Sequence, residues 1–288
     1  KPRSFSFFSD LSLFCVTNLG KLITLMPKLP KEHKFLDLSD YGRPPARWIA
    51  NAFKDTSITP IHITMVFFLA GITAIAFILK GQMLTAAIFL VIKSILDAAD
   101  GELARVKRTP SYVGRYLDSV ADIILNFFFL LSICYIYEGS WILMFIAFCC
   151  LQLQGTLYNY YYVIFRNKFN GDKTSRIIED HSPTAMPGEK QGNVDKLFWV
   201  YNFFYSLFDK AIYQMDKNAE DGHYFPKWFM TAVSSFGLGF QLLIISFMLC
   251  LGLGEFIIPF FISYSFLIIV FILLRKGINS GRIGNYVK

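Results

Sequence analysis

Four aspartates stand in an otherwise apolar chain. Asp97-Ala98-Ala99-Asp100-Gly101-Glu102-Leu103-Ala104-Arg105 is followed, after eight residues, by Gly114 and then by Asp118 and Asp122 at intervals of four. Ionisable groups at membrane depth are costly and usually serve a function. Side chains three or four apart share a helix face. Asp97, Asp100, Gly101 and Ala104 therefore line one stripe of a first helix, and Gly114, Asp118 and Asp122 one stripe of a second. Between them Lys107 to Ser111 contains Thr109-Pro110, a turn signal that makes the two helices neighbours. Four carboxylates so converged cannot all ionise unless cations neutralise them. An all-oxygen set suits Mg²⁺, Mn²⁺ or Ca²⁺, and no Cys or His accompanies it to suggest zinc. Gly101, Ala104 and Gly114 leave the acidic faces bare for a bulky polar ligand. Arg105 at the lip offers a fork of donors that suits phosphate. Two divalent ions and a phosphate clamp describe a site for displacement at phosphorus.

The pattern D-x2-D-G-x2-A-R-x8-G-x3-D-x3-D resembles the signature of the CDP-alcohol phosphotransferases (the CDP-alcohol phosphatidyltransferase family), and every fixed position of it is present. The order of apolar segments around it is also similar to that family. The resemblance implies six transmembrane helices, a homodimer, and two metal ions held by Asp97, Asp100, Asp118 and Asp122. It implies a CDP-linked donor whose CMP is the leaving group, with Gly101, Ala104, Arg105 and Gly114 beside the nucleotide and Asp122 as the base that takes the acceptor's proton. Pro60-Ile61 stands where family members often read Pro-Asn, so no nucleotide contact is carried over to Ile61.

Other readings stay open. Lys93, four residues before Asp97, suits an ion-pair network or proton relay. One lysine does not offset four aspartates, however, and a relay has no need of the Gly/Ala spacing. A cation or proton transporter calls for mid-span broken helices and repeat symmetry, and neither is evident in the sequence. A non-catalytic scaffold leaves the aspartates unexplained. Within the transferase reading, either CDP-diacylglycerol gives a phosphatidyl group to a small alcohol, or a CDP-linked small alcohol gives its phosphoalcohol to diacylglycerol. Short external loops favour the first. A polyol phosphate acceptor would suit Lys93, Arg166 and Lys168, although Arg166, Lys168 and Arg176 equally read as ordinary positive-inside residues.

The elements that must position this chemistry follow from composition. At 288 residues, 54% hydrophobic and 17% charged, the chain reads as an all-α, polytopic membrane protein. It opens on Lys1 rather than Met, which predicts a start inside a longer product, and no signal peptide is visible. The five cysteines lie in or beside apolar segments and read as small hydrophobic residues. Residues 1–58 read as a cytoplasmic interfacial and juxtamembrane segment. In it an amphipathic stretch runs from Leu11 to Met26, and a second opens at Pro44-Pro45 with Trp48, Ile49, Ala52 and Phe53 as its apolar face. Residues 59–288 read as a six-helix membrane domain with spans Ile61–Leu79, Met83–Asp100, Tyr116–Tyr137, Trp141–Phe165, Trp228–Leu251 and Phe256–Leu274. Trp141 and Trp228 sit at span ends, where aromatic belts form.

Lys and Arg concentrate before the first span, between the second and third, between the fourth and fifth, and at the end. Only Lys80 falls in an opposite-side loop, and Lys93 lies within a span. The positive-inside rule places both termini and the aspartates at the cytoplasmic face. The net charge of +7 then reflects topology and anionic lipid, and nothing points to nucleic acid. The cytoplasmic loop 166–227 mixes a polar piece with an aromatic stretch, Leu197 to Tyr213. There Asn202, Ser206, Asp209 and Lys210 share one side, predicting a third interfacial helix. Glu179, Asp180 and His181 read as a solvated loop rather than as ligands.

Overall fold

The computed structural model describes residues 29–169, 179–221 and 225–279, and the regular structure among them is helical. The amphipathic stretch expected from Leu11 to Met26 lies outside the described residues.

Helix α1, Arg43–Phe53, opens with Pro44 and Pro45, whose missing N–H groups cost nothing in a first turn. It packs through Ala46 and Ala50 against Ala99 and Leu103. The contact is so close that a Cβ on Gly42 would sit 3.3 Å from the Ile95 backbone. Only small residues fit such an interface. The apolar face expected there is therefore partly turned away: Ile49 and Phe53 are half-buried, whereas Ala52 is exposed and Trp48 is 75% exposed.

Helix α2, Pro60–Leu79, starts with Pro60 at its first position and with the Thr59 N–H donating to His62 Nδ1 at 3.0 Å. Gly81 takes a φ of 72° that L side chains rarely adopt, and so makes the tight return into α3, Met83–Lys107. Ser111 caps α4, Tyr112–Ile136, its Oγ accepting from the Gly114 N–H at 2.8 Å. The Glu189 carboxylate adds to this cap, accepting from Ser111 Oγ at 2.6 Å and from the Val113 N–H at 2.8 Å. Then come α5, Trp141–Lys168, and α6, Gln191–Met215. They are followed by α7, Lys227–Val233; α8, Leu238–Cys250; α9, Ile257–Tyr264; and α10, Phe266–Asn279.

Among the described residues, four stretches are long and apolar enough to cross a membrane: Pro60–Leu79, Tyr112–Ile136, Trp141–Lys168 and Gly254–Asn279. Lys227–Phe236 and Leu238–Cys250 make a fifth if taken together, but they meet at 55°, so the straight span expected over Trp228–Leu251 is broken. The break has a local cause. Gly237 is extended between a 3₁₀ turn, Ser234–Phe236, and α8. Buried Ser234 accepts from the Leu38 N–H at 2.9 Å instead of supporting a continuous helix. The expected second span lies in α3, which has the length, 25 residues, but carries Lys93, Asp97 and Asp100 in its apolar part. Length and composition alone do not qualify it.

The main core joins α2, α3, α4, α5 and α8 around Phe67, Leu90, Leu125, Phe129, Met144 and Leu242, all buried. An aromatic cluster of Tyr161, Phe165, Phe229, Phe236 and Phe271 ties α5 to the bent pair and α10. Helix α6 is longer than the expected Leu197–Tyr213, and of its polar side only Lys210 faces out. Asn202, Ser206 and Asp209 are half-buried, while Trp199, Phe203 and Leu207 form an exposed ridge, each at least 70% accessible. Val194, Phe208 and Ile212 are the buried anchors, and the Tyr205 hydroxyl donates to the Ser119 carbonyl of α4 at 2.8 Å.

Candidate active site

The spacing on α3 and α4 does what the helix period dictates. Asp97, Asp100 and Asp118 each present a carboxylate oxygen within 4.8 Å of the others. Asp100 is buried and accepts from Thr64 Oγ1 of α2 at 2.6 Å. Asp118 Oδ1 is buried and has no hydrogen-bond partner among the described residues. A carboxylate oxygen left so is expensive unless a cation meets it. Three hard oxygens within one ion's reach fit Mg²⁺, Mn²⁺ or Ca²⁺.

Asp122 is placed differently. It accepts from Lys93 Nζ, which also donates to Asp97 Oδ2 at 2.8 Å. Lys93 is fully buried, with its ammonium 4.7 Å from the centre of the Phe67 ring. It is therefore sealed within the aspartate cluster, away from any acceptor surface.

The open face of Gly101 looks toward the guanidinium of Arg105, 3.5 Å from where a Cβ would be. Arg105 pairs with Glu102 at 3.0 Å and keeps 38% of its side chain exposed. Ala104 is half-buried on the same stripe. Gly114 occupies the first turn of α4, next to Ser111.

A cavity of about 400 Å³ opens beside Asp97 and Asp122. Its walls come from α4 (Arg115, Ser119, Asn126), α5 (Gln152, Tyr158, Tyr162, Arg166), α6 (Tyr201, Tyr205, Asp209), the break before α8, and Asp37 to Asp40. The bent pair is what lets the last of these in. A Cβ on Gly239 would overlap the Ser39 carbonyl, so only glycine admits that turn against α8. Gln152 Nε2 is buried in the cavity wall with no partner among the described residues. Arg166 is buried, its guanidinium 5.2 Å from the Tyr162 ring, whereas Lys168 is exposed and does not line the cavity.

Glu179 overturns the solvated-loop expectation. It receives Arg115 at 2.6 Å and the Tyr116 hydroxyl at 2.8 Å, and its side chain is only 10% exposed. The cause is the half-buried Arg115, whose charge draws the acid inward. Asp180 and His181 are exposed. Burial and the nearby Glu179 push the Asp209 carboxyl up to about 7, with Arg115 pulling the other way. Thr64, Tyr158, Tyr205 and Asp209 carry no motif that sequence reasoning could use. They meet only through packing.

Residues 57–177 match the family model described as CDP-alcohol phosphatidyltransferase, and this segment carries the whole aspartate cluster. This segment is thus similar to that family. It is 32% identical over 158 residues to a bifunctional IPC transferase and DIPP synthase of Thermococcus kodakarensis, covering 54% of the chain and 35% of the relative. It is 31% identical over 108 residues to a CDP-diacylglycerol–serine O-phosphatidyltransferase of Mycobacterium tuberculosis, covering 35% of the chain and 37% of the relative. The chain thus spans about a third of the length of these curated relatives.

Proposed function

We propose that the protein is a CDP-alcohol phosphotransferase that moves a phosphatidyl group from CDP-diacylglycerol to the hydroxyl of a small polar acceptor, releasing CMP. The observation that carries this reading is the convergence of Asp97, Asp100 and Asp118 beside the bared Gly101 and the phosphate-suited Arg105. In the transfer, the acceptor oxygen bonds to the β-phosphorus as the bond to the CMP oxygen breaks. Asp122 takes the hydroxyl proton, and Gly101, Ala104, Arg105 and Gly114 hold the CDP end. When bound, Mg²⁺ or Mn²⁺ on the three aspartates would neutralise the pyrophosphate as charge shifts to the leaving group. Positioning and charge neutralisation supply most of the catalysis in such reactions.

The cavity beside Asp97 and Asp122 is the acceptor's place. Arg166 and Gln152 are its candidate contacts, and neither Lys93 nor Lys168 is exposed to it. Helix α3 is read as the sixth span, since α2 and α8 pack against it. Both termini and the aspartates face the cytoplasm, α1 and α6 lie at the interface, and the chain pairs as a homodimer. Similarity to a bifunctional IPC transferase and DIPP synthase over 54% of the chain keeps a second donor in view, a CDP-linked small alcohol.

Purified protein incubated with CDP-diacylglycerol, Mg²⁺ or Mn²⁺ and a panel of alcohols should release CMP with at least one acceptor and stop on chelation. No CMP with any acceptor, while a CDP-linked small alcohol and diacylglycerol give it, would reverse the donor assignment.

A further inference from the structure

We infer that the α6 wall of the cavity selects an acceptor alcohol that also carries an ammonium group, with Asp209 as the side chain that recognises it. The inference rests on the transferase reading above and narrows its small polar acceptor to one chemical class. Helix α6, Gln191–Met215, lies beyond residues 57–177, so the segment that carries the aspartate motif does not supply this wall.

The helix has two faces. Tyr201, Tyr205 and Asp209 recur every four residues and line the cavity. Trp199, Phe203 and Leu207 recur at the same interval two residues earlier, about 200° around the helix, and form the exposed ridge. Tyr205 ties the first face to the reacting end. Its hydroxyl donates to the carbonyl of Ser119, next to Asp118 on α4, at 2.8 Å, and its ring stacks on Tyr201 with centroids 4.8 Å apart. Asp209 follows one turn along the same face, and the charges of Asp122 and Asp209 both act on the Tyr205 hydroxyl.

The acids of the cavity differ in what already holds them. Asp37 receives Ser39 Oγ at 2.7 Å and the Tyr158 hydroxyl at 2.6 Å, and Asp40 pairs with Arg43. Asp97 and Asp122 share Lys93, and Glu179 receives Arg115 and Tyr116. Asp209 receives no hydrogen bond and no ion pair among the described residues. A half-buried carboxylate so placed gains from an ammonium, which brings three donors and an opposite charge. Gln152 is an independent sign of a ligand. It is 6% exposed, and its Nε2 in the cavity wall has no partner among the described residues. A buried amide donor left so calls for an oxygen of the acceptor. A phosphate-bearing acceptor fits less well. It would face Asp37, Asp40, Asp97, Asp122, Glu179 and Asp209 with Arg115 and Arg166 on its side, and Arg115 is already engaged by Glu179.

The experiment follows CMP release from CDP-diacylglycerol by the full chain in detergent with Mg²⁺ or Mn²⁺. The acceptors are amine-bearing alcohols (ethanolamine, serine, choline), neutral ones (ethylene glycol, glycerol) and glycerol 3-phosphate. Ethanolamine and ethylene glycol differ chiefly in the ammonium. The best amine-bearing acceptor should exceed the neutral ones in kcat/KM by at least about tenfold, the worth of one hydrogen-bonded charge. An equal or reversed order, or use of glycerol 3-phosphate before the amines, would overturn the inference and leave the proposed function standing. No CMP with any acceptor would overturn both. Asp209→Asn should cut the ratio of amine-bearing to neutral acceptor about tenfold, and Asp209→Glu should restore most of it. A merely structural role would lower both values together, and an unchanged ratio would overturn the assignment to Asp209. Should the variants not fold, the wild-type order of acceptors decides alone.

Discussion

Two buried acidic places in this molecule look alike in sequence and differ in what surrounds them. Asp216, at the end of α6, is fully satisfied. Both oxygens receive the Arg275 guanidinium, with Nε at 2.8 Å, and the Tyr161 hydroxyl donates at 2.7 Å. It joins α6 to α5 and α10 and exposes nothing. The aspartates of α3 and α4 have one lysine among four carboxylates, and Asp118 Oδ1 has no partner among the described residues. The first arrangement spends its charges on holding helices together. The second leaves acceptor capacity over, and it does so beside a polar cavity. That surplus, more than the number of acids, separates a binding centre from a structural lock.

Substitutions at the two places should therefore part stability from activity. The largest effect is expected at the metal-fitting set. Asp97→Asn or Asp118→Asn should abolish CMP release while the protein still inserts and folds. Turnover retained in either variant would remove the distinction drawn above. Next comes Asp122→Asn, where loss of a general base costs about 10²–10⁴-fold in the chemical step. Single-turnover CMP release should fall by that much with CDP-substrate affinity kept. A parallel loss of affinity would make the residue chiefly a donor-site ligand.

At the lock the sign reverses. Arg275→Met strands Asp216 without its cation, and breaking a buried pair in this way costs about 3–5 kcal/mol. Thermal unfolding should move down sharply, while the folded fraction keeps its specific activity. A smaller effect is expected from Gly101→Leu, which places a side chain against the Arg105 guanidinium and over the bare face. Donor affinity should weaken with little change in melting temperature.

The smallest effect concerns pH. The Asp209 carboxyl lies well above its unfolded value of about 3.9, so its ionisation opposes folding. That contribution is favourable to the fold at low pH and is lost as pH rises from about 4 through about 7. Asp209→Asn should therefore gain stability relative to wild type at pH 8 and not at pH 4. An equal difference at both values would show that Asp209 does not titrate in this window.

How much of this was legible beforehand follows from distance along the chain. The triad was legible because its members sit within two adjacent helices, where a period of 3.6 residues and one turn fix the outcome. The depth of Lys93 was not legible, since Asp97 alone explains a lysine four residues earlier, and the decisive partner, Asp122, comes from the next helix. The break at Gly237 was hidden by hydrophobicity. Ser234-Ser235-Phe236-Gly237-Leu238-Gly239 sits between apolar runs, and what bends it is a hydrogen bond from Leu38, far away in sequence. Glu179 and Asp209 were unreadable in the same sense, because Arg115 pairs with Glu179 from a different helix, and burial beside Glu179 sets the surroundings of Asp209.

The most direct test of the central claim is the shift in melting temperature that Mn²⁺ or Mg²⁺ produces in wild type and in Asp118→Asn. A ligand that binds only the folded state stabilises it in proportion to the logarithm of its concentration above Kd. The account predicts a clear upward shift in wild type. It predicts that the variant, relieved of one like charge, melts no lower than wild type without metal and shows no shift with it. A variant that is strongly destabilised without metal, or that responds to metal as wild type does, would contradict the claim that Asp118 belongs to a metal centre.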